Sequence, residues 1–188
     1  MPKIVDVVQR REQLGEAAAR VIARSGIDGA SLREVASEAG WTTGALSHYF
    51  ANKRELLAFT LQGSLDRRRV QLAERDAMEP GEALRATLFG SLPTSPDARL
   101  HWTVTLAFAG QSSADAELAS IQREAYLHVR STIIRLLEAD GWSMGDAPFE
   151  AERLLAAVNG IALQAFFAPD LWDETRQSQA LIAAIEAR

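Results

Sequence analysis

The chain contains no cysteine among its 188 residues. Disulfides, thiol catalysis and cysteine-ligated metal sites are therefore excluded. Its three histidines, His48, His101 and His128, form neither a His-x-x-x-His nor a Glu-x-x-His pair. Because helical metal sites rely on such spacings, we expect no metal site and no cofactor. His101 and His128 are better interpreted as surface or hydrogen-bonded core residues.

Motifs that mark common enzymes are also missing. The chain has no glycine-rich phosphate loop and no Gly-x-Ser-x-Gly elbow, so we expect no enzymatic activity. No run of about 18 apolar residues is present, which argues against a membrane span. The first residues, MPKIVDVVQRREQL, lack the apolar region of a secretory signal, so the expected location is the cytoplasm.

The charge of the chain is unevenly distributed. The formal net charge is −5. Residues 1–75 carry 12 Lys and Arg against 9 Asp and Glu, a net charge of +3, whereas residues 76–188 carry 8 against 16, a net charge of −8. A mildly basic N-terminal part on an acidic remainder suits a protein that contacts nucleic acid with one end.

The segment SLREVASEAGWTTGALSHYFANK, residues 31–53, predicts two short helices joined by a tight turn, with a third helix starting at its end. Ser31 and Glu34 form a capping box at the first helix. An apolar stripe then follows at helical spacing. Gly40 is suited to the positive φ of a helix stop, and Thr42 or Thr43 can cap the second helix. The stripe consists of Leu32, Val35, Ala36 and Ala39.

The second short helix has one apolar and one polar face. Leu46 and Phe50 point one way, whereas Thr43, Ser47 and His48 point the other, with Tyr49 at the edge. Such polar groups suit a helix in the DNA major groove, where side chains read base edges. A solvated helical hairpin explains the periodicity equally well.

The residue pattern of this segment resembles that of the DNA-binding domain of TetR-family transcriptional repressors. The match includes GASLREVA, AGWTTGALSHYF and NKRELL, and the Ser-His-Tyr-Phe version resembles the subgroup of the choline-responsive repressor of betaine synthesis. Many members carry two adjacent tyrosines where this chain has Ser47 and His48, so the operator cannot be borrowed from a relative. The resemblance implies base-reading, close-approach and phosphate-contacting roles for Ser31, Arg33, Thr42, Thr43, Gly44, Ala45, Ser47, His48, Tyr49 and Lys53.

Caps, breaks and periodicity predict an all-α chain of about nine helices. The resemblance divides it into a three-helix DNA-binding domain, residues 1–52, and an effector-binding and dimerisation domain, residues 53–188. The run Arg67-Arg68-Arg69 is interpreted as a solvated or domain-contacting helix face, with a phosphate-facing patch as the alternative. The predicted helices outside the two short ones cover residues 5–25, 53–77, 82–92, 96–111, 114–139, 146–168 and 173–187.

The second domain is expected to hold a small effector. Its aromatic residues are individually more typical of core than of a binding site. If several line a cavity, they imply a hydrophobic or cationic ligand, because aromatic faces attract quaternary ammonium groups. The candidates are Phe89, Trp102, Phe108, Tyr126, Trp142 and Phe166.

The last two helices are expected to form a homodimer interface, as the resemblance implies. A single short helix in the major groove reads few base pairs, whereas two DNA-binding domains (heads) related by a twofold axis read a palindrome. An ordinary intrachain core is the alternative for the same residues. The predicted interface comprises Leu154, Val158, Ile161, Ala162, Ala165, Leu181, Ala184 and Ile185.

These observations predict a ligand-responsive transcriptional regulator that binds a palindromic double-stranded DNA operator as a homodimer and is released by a small effector. Control of this kind is repression. The alternative is a helical small-molecule-binding or adaptor protein without sequence-specific DNA binding.

Overall fold

The computed structural model describes residues 7–75 and 77–187, which form nine α-helices and no β-strand. This confirms the all-α prediction. Across those residues, no helix combines the length and apolar character needed to cross a bilayer. The helices are α1 Val7–Gly29, α2 Leu32–Glu38, α3 Thr43–Ser47, α4 Lys53–Ala73, α5 Pro80–Phe89, α6 Pro96–Ser112, α7 Ala116–Ala139, α8 Ala147–Phe167 and α9 Glu174–Glu186.

The chain forms two compact units. Residues up to 68 and residues 103–122 make up the first unit, and residues 69–102 and 123 onward make up the second. The division between DNA-binding and effector-binding domains at residue 52 stays a prediction, because compactness does not report which residues bind DNA or an effector.

The first unit is built around the apolar stripe of α1. Leu14, Ala18, Val21 and Ile22 are at most 1% exposed, as the periodicity predicted. Gly26 has φ 69° and breaks the helix after residue 25, as expected, and one further turn beyond the kink reaches Gly29. The other fully buried residues of this core include Val35, Ala36, Leu46, Phe50, Leu56 and Leu61.

The second unit has one continuous apolar core formed by α5, α7, α8 and α9. Fourteen buried residues make up this cluster, and partly buried aromatic residues pack against it. Because four helices contribute, each needs only one apolar stripe. Its largest members are Leu84, Leu88, Leu92, Ile133, Leu136, Leu137, Leu154, Leu155, Ile161 and Leu181.

Three predicted helix features need correction. Helix α4 ends at Ala73, and α5 begins at Pro80 rather than residue 82. Proline suits the first turn of a helix because the backbone N–H groups there have no partner within the helix, so the N–H that proline lacks is not missed. Helix α6 carries apolar residues nearly all round, a pattern that predicts a buried helix, yet within the single chain its buried residues are Val104 and Phe108.

Candidate nucleic-acid interface and ligand-binding unit

Side-chain caps fix the two short helices of the first unit. The Ser31 hydroxyl accepts the Glu34 backbone N–H at 3.1 Å, and the Thr42 hydroxyl accepts the Ala45 N–H at 3.2 Å. Thr42, rather than Thr43, is therefore the cap of α3. Between the helices Gly40 has φ 71°, as predicted for the turn.

Helix α3 presents one face to the core and the other to solvent. Leu46 and Phe50 are fully buried, whereas Thr43, Ser47 and His48 are exposed, as the sequence predicted. Gly44 is also exposed, and a Cβ built there meets no atom within 4 Å. The chain itself therefore does not require glycine at this position.

Tyr49 lies at the edge of this surface, against Trp41. Their rings meet edge to face with centroids 5.5 Å apart. The guanidinium of Arg10 lies 5.2 Å from the Trp41 centroid. The sequence analysis gave Trp41 no role. Its position in the turn between α2 and α3 was the one signal that it could pack against the end of α3.

Arg11 joins three elements inside the first unit. Its guanidinium donates to the Tyr49 carbonyl at 2.9 Å and to the Glu55 carboxylate at 3.2 Å. It also lies 4.5 Å from the Phe50 ring centroid and 4.8 Å from that of Phe59. The side chain thus connects α1 to the end of α3 and to α4.

The start of α4 is capped in both directions. The Asn52 side chain accepts the Glu55 N–H at 2.9 Å, and the Glu55 carboxylate accepts the Ala51 N–H at 2.8 Å. The Ala51 N–H, and secondarily Arg11, lower the pKa of Glu55. Lys53 donates to the Asp28 carbonyl at 3.1 Å. An ammonium carries three N–H donors, so this bond leaves two available.

Glu38 ties the end of α2 to α1. It receives hydrogen bonds from Arg20 at 2.8 Å and from Arg24 at 3.1 Å. These bonds, that of Arg20 first, lower the pKa of Glu38. Arg33 is exposed on the opposite side of the same helix.

An ion-pair cluster links α4 to the start of α7 within the first unit. The Arg54 guanidinium donates to both Asp115 oxygens, at 2.9 and 3.1 Å, and lies 3.1 Å from the Glu117 carboxylate. The hydrogen bond from Arg54 is the main cause that lowers the pKa of Asp115. Asp115 and Glu117 are therefore both engaged by Arg54.

Three of the six predicted effector residues lie apart from the main core of the second unit. Phe108 is fully buried in the first unit, and Tyr126 is 45% exposed. The guanidinium of Arg99 lies 5.4 Å from the Phe166 ring centroid. An organic cation at that ring would have to displace the arginine.

The other three aromatic residues, Phe89, Trp102 and Trp142, pack against the core of the second unit. The indole N–H of Trp102 donates to the Ser91 carbonyl at 2.7 Å, which fixes the ring to the end of α5. Trp142 also lines a cavity, whereas Phe89 and Trp102 are not among the residues that line it.

This cavity, of about 490 Å³, lies among the start of α5, the end of α7 and the start of α8. We call it the acidic cavity, because carboxylates predominate among its charged residues. Its size is within the usual range for small-molecule sites. Its lining includes Leu88, Leu137, Leu154, Trp142, Glu79, Glu82, Asp140 and Glu150.

Glu150 differs from the other carboxylates of the acidic cavity because it is buried and paired. Arg153 donates to both of its oxygens, at 2.6 and 2.7 Å. Arg153 also donates to the Ala184 carbonyl at 2.8 Å, which connects α8 to α9. This carboxylate is neutralised within the unit, which leaves Glu79, Glu82 and Asp140 against Arg85 to set the charge of the cavity.

Most residues predicted for the dimer interface are buried within their own chain. Two of the eight, Ala184 and Ile185, are half-buried. Phe167, the last residue of α8, is 76% exposed, and Leu171, in the loop between α8 and α9, is 69% exposed. A Cβ built at Gly160 of α8 would meet no atom within 4 Å. The six others, Leu154, Val158, Ile161, Ala162, Ala165 and Leu181, are at most 6% exposed.

The chain matches known regulators along most of its length. Residues 14–58 match the bacterial regulatory proteins of the tetR family, and residues 80–188 match the C-terminal domain of the BetI-type transcriptional repressor. The transcriptional regulator PksA of Bacillus subtilis is 34% identical over 192 residues, which cover all of this chain and 93% of PksA.

Solved structures agree with this match. A transcriptional regulator from Rhodococcus superposes with a TM-score of 0.84 at 34% identity, covering 93% of each chain. A regulator from Saccharomonospora viridis, solved in complex with choline, has a TM-score of 0.82 at 24% identity, covering 96% of this chain and 97% of its own. The chain belongs to the TetR family of transcriptional regulators, with a C-terminal domain of the BetI type.

Proposed function

We propose that the chain binds a palindromic DNA operator as a homodimer and that a small effector releases it. The outer face of α3 is the observation that carries the DNA-binding part. It offers hydroxyl and imidazole groups at Thr43, Ser47 and His48 and no carboxylate that would repel phosphate. The open backbone at Gly44 lets the helix approach the duplex closely.

The residues of this surface have different roles in the proposed complex. Thr43, Ser47 and His48 read base edges, as polar side chains do in the major groove. Lys53 and Arg33 contact phosphates and set the register of the helix without reading sequence. The remaining members support the surface: Ser31 and Thr42 cap helices, Gly44 and Ala45 allow close approach, and Tyr49 closes the edge.

Dimerisation is proposed through the exposed side of α8 and α9. The buried stripe already stabilises the second unit, so a second copy contacts the opposite side, around Gly160, Phe167 and Leu171. Because identical surfaces meet in a twofold dimer, each open glycine receives side chains from the partner. Two heads then read two half-sites, and the free energies of their contacts add.

The acidic cavity is the proposed effector site. Its indole at Trp142 and its carboxylates suit an organic cation, because aromatic faces and negative charge both attract ammonium groups. The apolar floor, which includes Leu88, suits a hydrophobic portion. The choline complex of the Saccharomonospora viridis regulator supports a cationic effector.

The proposed mechanism is a shift between two states. The effector binds better to the state that does not fit the operator, and so removes the protein from DNA. A coupling free energy of about 1–3 kcal/mol changes operator affinity by roughly 5–150-fold. The bidentate Arg54–Asp115 contact is the proposed link through which movement of α7 reaches α4.

Titration with DNA at increasing salt tests the DNA-binding part. The purified protein is mixed with sheared genomic DNA, and binding is followed by fluorescence anisotropy. We expect the logarithm of the affinity to fall linearly with the logarithm of the salt concentration, because bound phosphates release counterions. A folded protein that binds no DNA at low salt would support the helical ligand-binding or adaptor alternative.

A further inference from the structure

The indole of Trp41 lies where three elements of the first unit meet. Trp41 belongs to the turn between α2 and α3, and its ring contacts that of Tyr49, just beyond α3, with centroids 5.5 Å apart. From α1, the guanidinium of Arg10 lies 5.2 Å from the Trp41 centroid. Neither Trp41 nor Arg10 has a role in the function proposed above.

The two rings hold the ends of a helix that is too short to be stable alone. Helix α3 has five residues, whereas isolated helices in water need about 12–15 residues. Its direction therefore depends on contacts at its ends. Trp41 precedes the N-cap of α3 and Tyr49 follows the C-cap, so the edge-to-face contact, with 67° between the ring planes, joins both ends of the helix.

The two neighbouring arginines of α1 contact the ends of α3 in different ways. Arg11 donates to the Tyr49 carbonyl and pairs with the Glu55 carboxylate, so its charge is balanced within the unit. Arg10 donates instead to the neutral amide of Gln13, at 3.4 Å. Within the part of the chain that the structure describes, no carboxylate is paired with Arg10. Its charge therefore remains available to an anion outside the chain.

The position of Arg10 suits a phosphate of the DNA backbone. Trp41 directly precedes Thr42 and Thr43, which are exposed at the start of α3 within the proposed DNA-contacting surface. A guanidinium has five N–H donors and binds phosphate through two of them at once, and the bond to Gln13 uses one donor. The indole ring attracts the guanidinium without supplying a carboxylate that would neutralise it.

We propose that Arg10 binds a backbone phosphate beside each half-site and that Trp41 is the positioning residue for this contact. Trp41 holds the guanidinium at the edge of α3, and the ring contact with Tyr49 couples that position to the direction of the helix. The contact fixes the register of α3 without reading sequence. This inference rests on the DNA binding proposed above and adds a contact from α1 to those of Arg33 and Lys53.

The salt dependence of DNA binding tests the phosphate contact of Arg10. Sheared genomic DNA serves as the probe, because a phosphate contact does not read sequence, and fluorescence anisotropy follows binding by the full-length protein. Each phosphate contact contributes about 0.9 to the slope of log affinity against log salt concentration. Arg10→Gln should therefore reduce the slope by about 0.9 for each head, or about 1.8 for a dimer.

Arg24→Gln is the matched control, because it removes the same charge from the same helix. Arg24 lies 14 positions beyond Arg10 on α1, or about 21 Å at 1.5 Å per residue. It is paired with Glu38 at 3.1 Å. We expect the control to keep the wild-type slope. Circular dichroism melting checks that each variant is folded.

Substitutions of Trp41 separate a positioning role from a merely structural one. Trp41→Phe keeps an aromatic face for Arg10 and should keep the wild-type slope, whereas Trp41→Leu should approach the slope of Arg10→Gln. In the Arg10→Gln background, Trp41→Leu should reduce the slope no further, because both substitutions act on one phosphate contact. Loss of a structural contact alone would lower the affinity at every salt concentration and leave the slope unchanged.

Three results would overturn this inference while leaving DNA binding itself intact. A wild-type slope in folded Arg10→Gln would exclude the phosphate contact. A wild-type slope in folded Trp41→Leu would exclude the positioning role, and a further fall in the double variant would show that Trp41 acts independently of Arg10. If Trp41→Leu does not fold, the slope of Arg10→Gln decides. A folded wild-type protein that binds no DNA would instead refute the proposed function.

Discussion

Replacement of Gly44 by alanine should affect folding and DNA binding in opposite directions. The new Cβ meets no atom of the chain within 4 Å, and Gly44 is not among the glycines with positive φ. Alanine is better than glycine within a helix by roughly 0.5–1 kcal/mol. The free energy of unfolding should therefore stay constant or rise by up to that amount, with the lower end favoured in a first turn.

The same methyl group should weaken binding to the operator. In the proposed complex the backbone of α3 at Gly44 lies against the duplex, so the added Cβ projects into that contact. Inserting a methyl group into a well-packed contact costs about 1–3 kcal/mol. This corresponds to a loss of about 5- to 150-fold in affinity for each head.

Gly110→Ala is the matched control for this substitution. Gly110 is also helical, belongs to the same unit, and has no atom within 4 Å of a built Cβ. Thermal unfolding measures stability, and fluorescence anisotropy measures affinity for an operator sequence recovered by selection from random DNA. Wild-type operator affinity in Gly44→Ala would refute the close approach of α3 to DNA.

Four further predictions follow from the remaining contacts. His48→Ala should reduce affinity for the operator more than for unrelated DNA, whereas Lys53→Ala should reduce both alike in competition binding; equal effects would contradict the separation into base reader and phosphate anchor. Gly160→Leu should shift the protein toward monomer in analytical ultracentrifugation while circular dichroism shows an unchanged helix content, and an intact dimer would place the interface elsewhere. Arg11→Ala should lower the free energy of unfolding in urea by about 2 kcal/mol, because it removes charged hydrogen bonds to α3 and α4; a change below about 0.5 kcal/mol, typical of an exposed surface site, would contradict that role. The stabilisation from Glu38 is present above its ordinary pKa of 4.5 and is lost as the pH falls through its lowered folded pKa; Glu38→Gln should therefore flatten the loss of stability with pH in acid, and an unchanged slope would show that this carboxylate does not contribute.

Local signals in the sequence were sufficient to predict the helix-turn-helix segment. The caps at Ser31 and Thr42 each act within three residues, and the turn requires a glycine at position 40. The alternation of Leu46 and Phe50 with polar residues determines which side of α3 faces the core. These features depend on spacing along the chain, so they can be predicted without tertiary structure.

Contacts between distant residues could not be predicted in the same way. Arg11 reaches residues 38 and 44 positions away, and Arg54 reaches Asp115, which is 61 positions away. An arginine at a helix start is compatible with phosphate contact, solvent exposure or an internal role. Only the packing of α1 against α4 distinguishes these possibilities.

The dimer-interface and effector residues stay predictions for a different reason. An apolar stripe shows that a helix packs against something but does not show whether the neighbour belongs to the same chain. On α8 the stripe containing Leu154 and Val158 is used by the core of the second unit. The aromatic residues do not gather around one cavity either, because most of them pack in or against a hydrophobic core.

Selection of bound DNA from a random pool tests the central claim most directly. The purified full-length protein is used, and the recovered sequences are aligned without assuming symmetry. A homodimer with two α3 heads predicts a palindrome whose half-site centres lie about one helical turn, roughly 10 base pairs, or a multiple of that, apart. Recovery of a single unrepeated half-site, or of no motif from folded protein, would contradict the account.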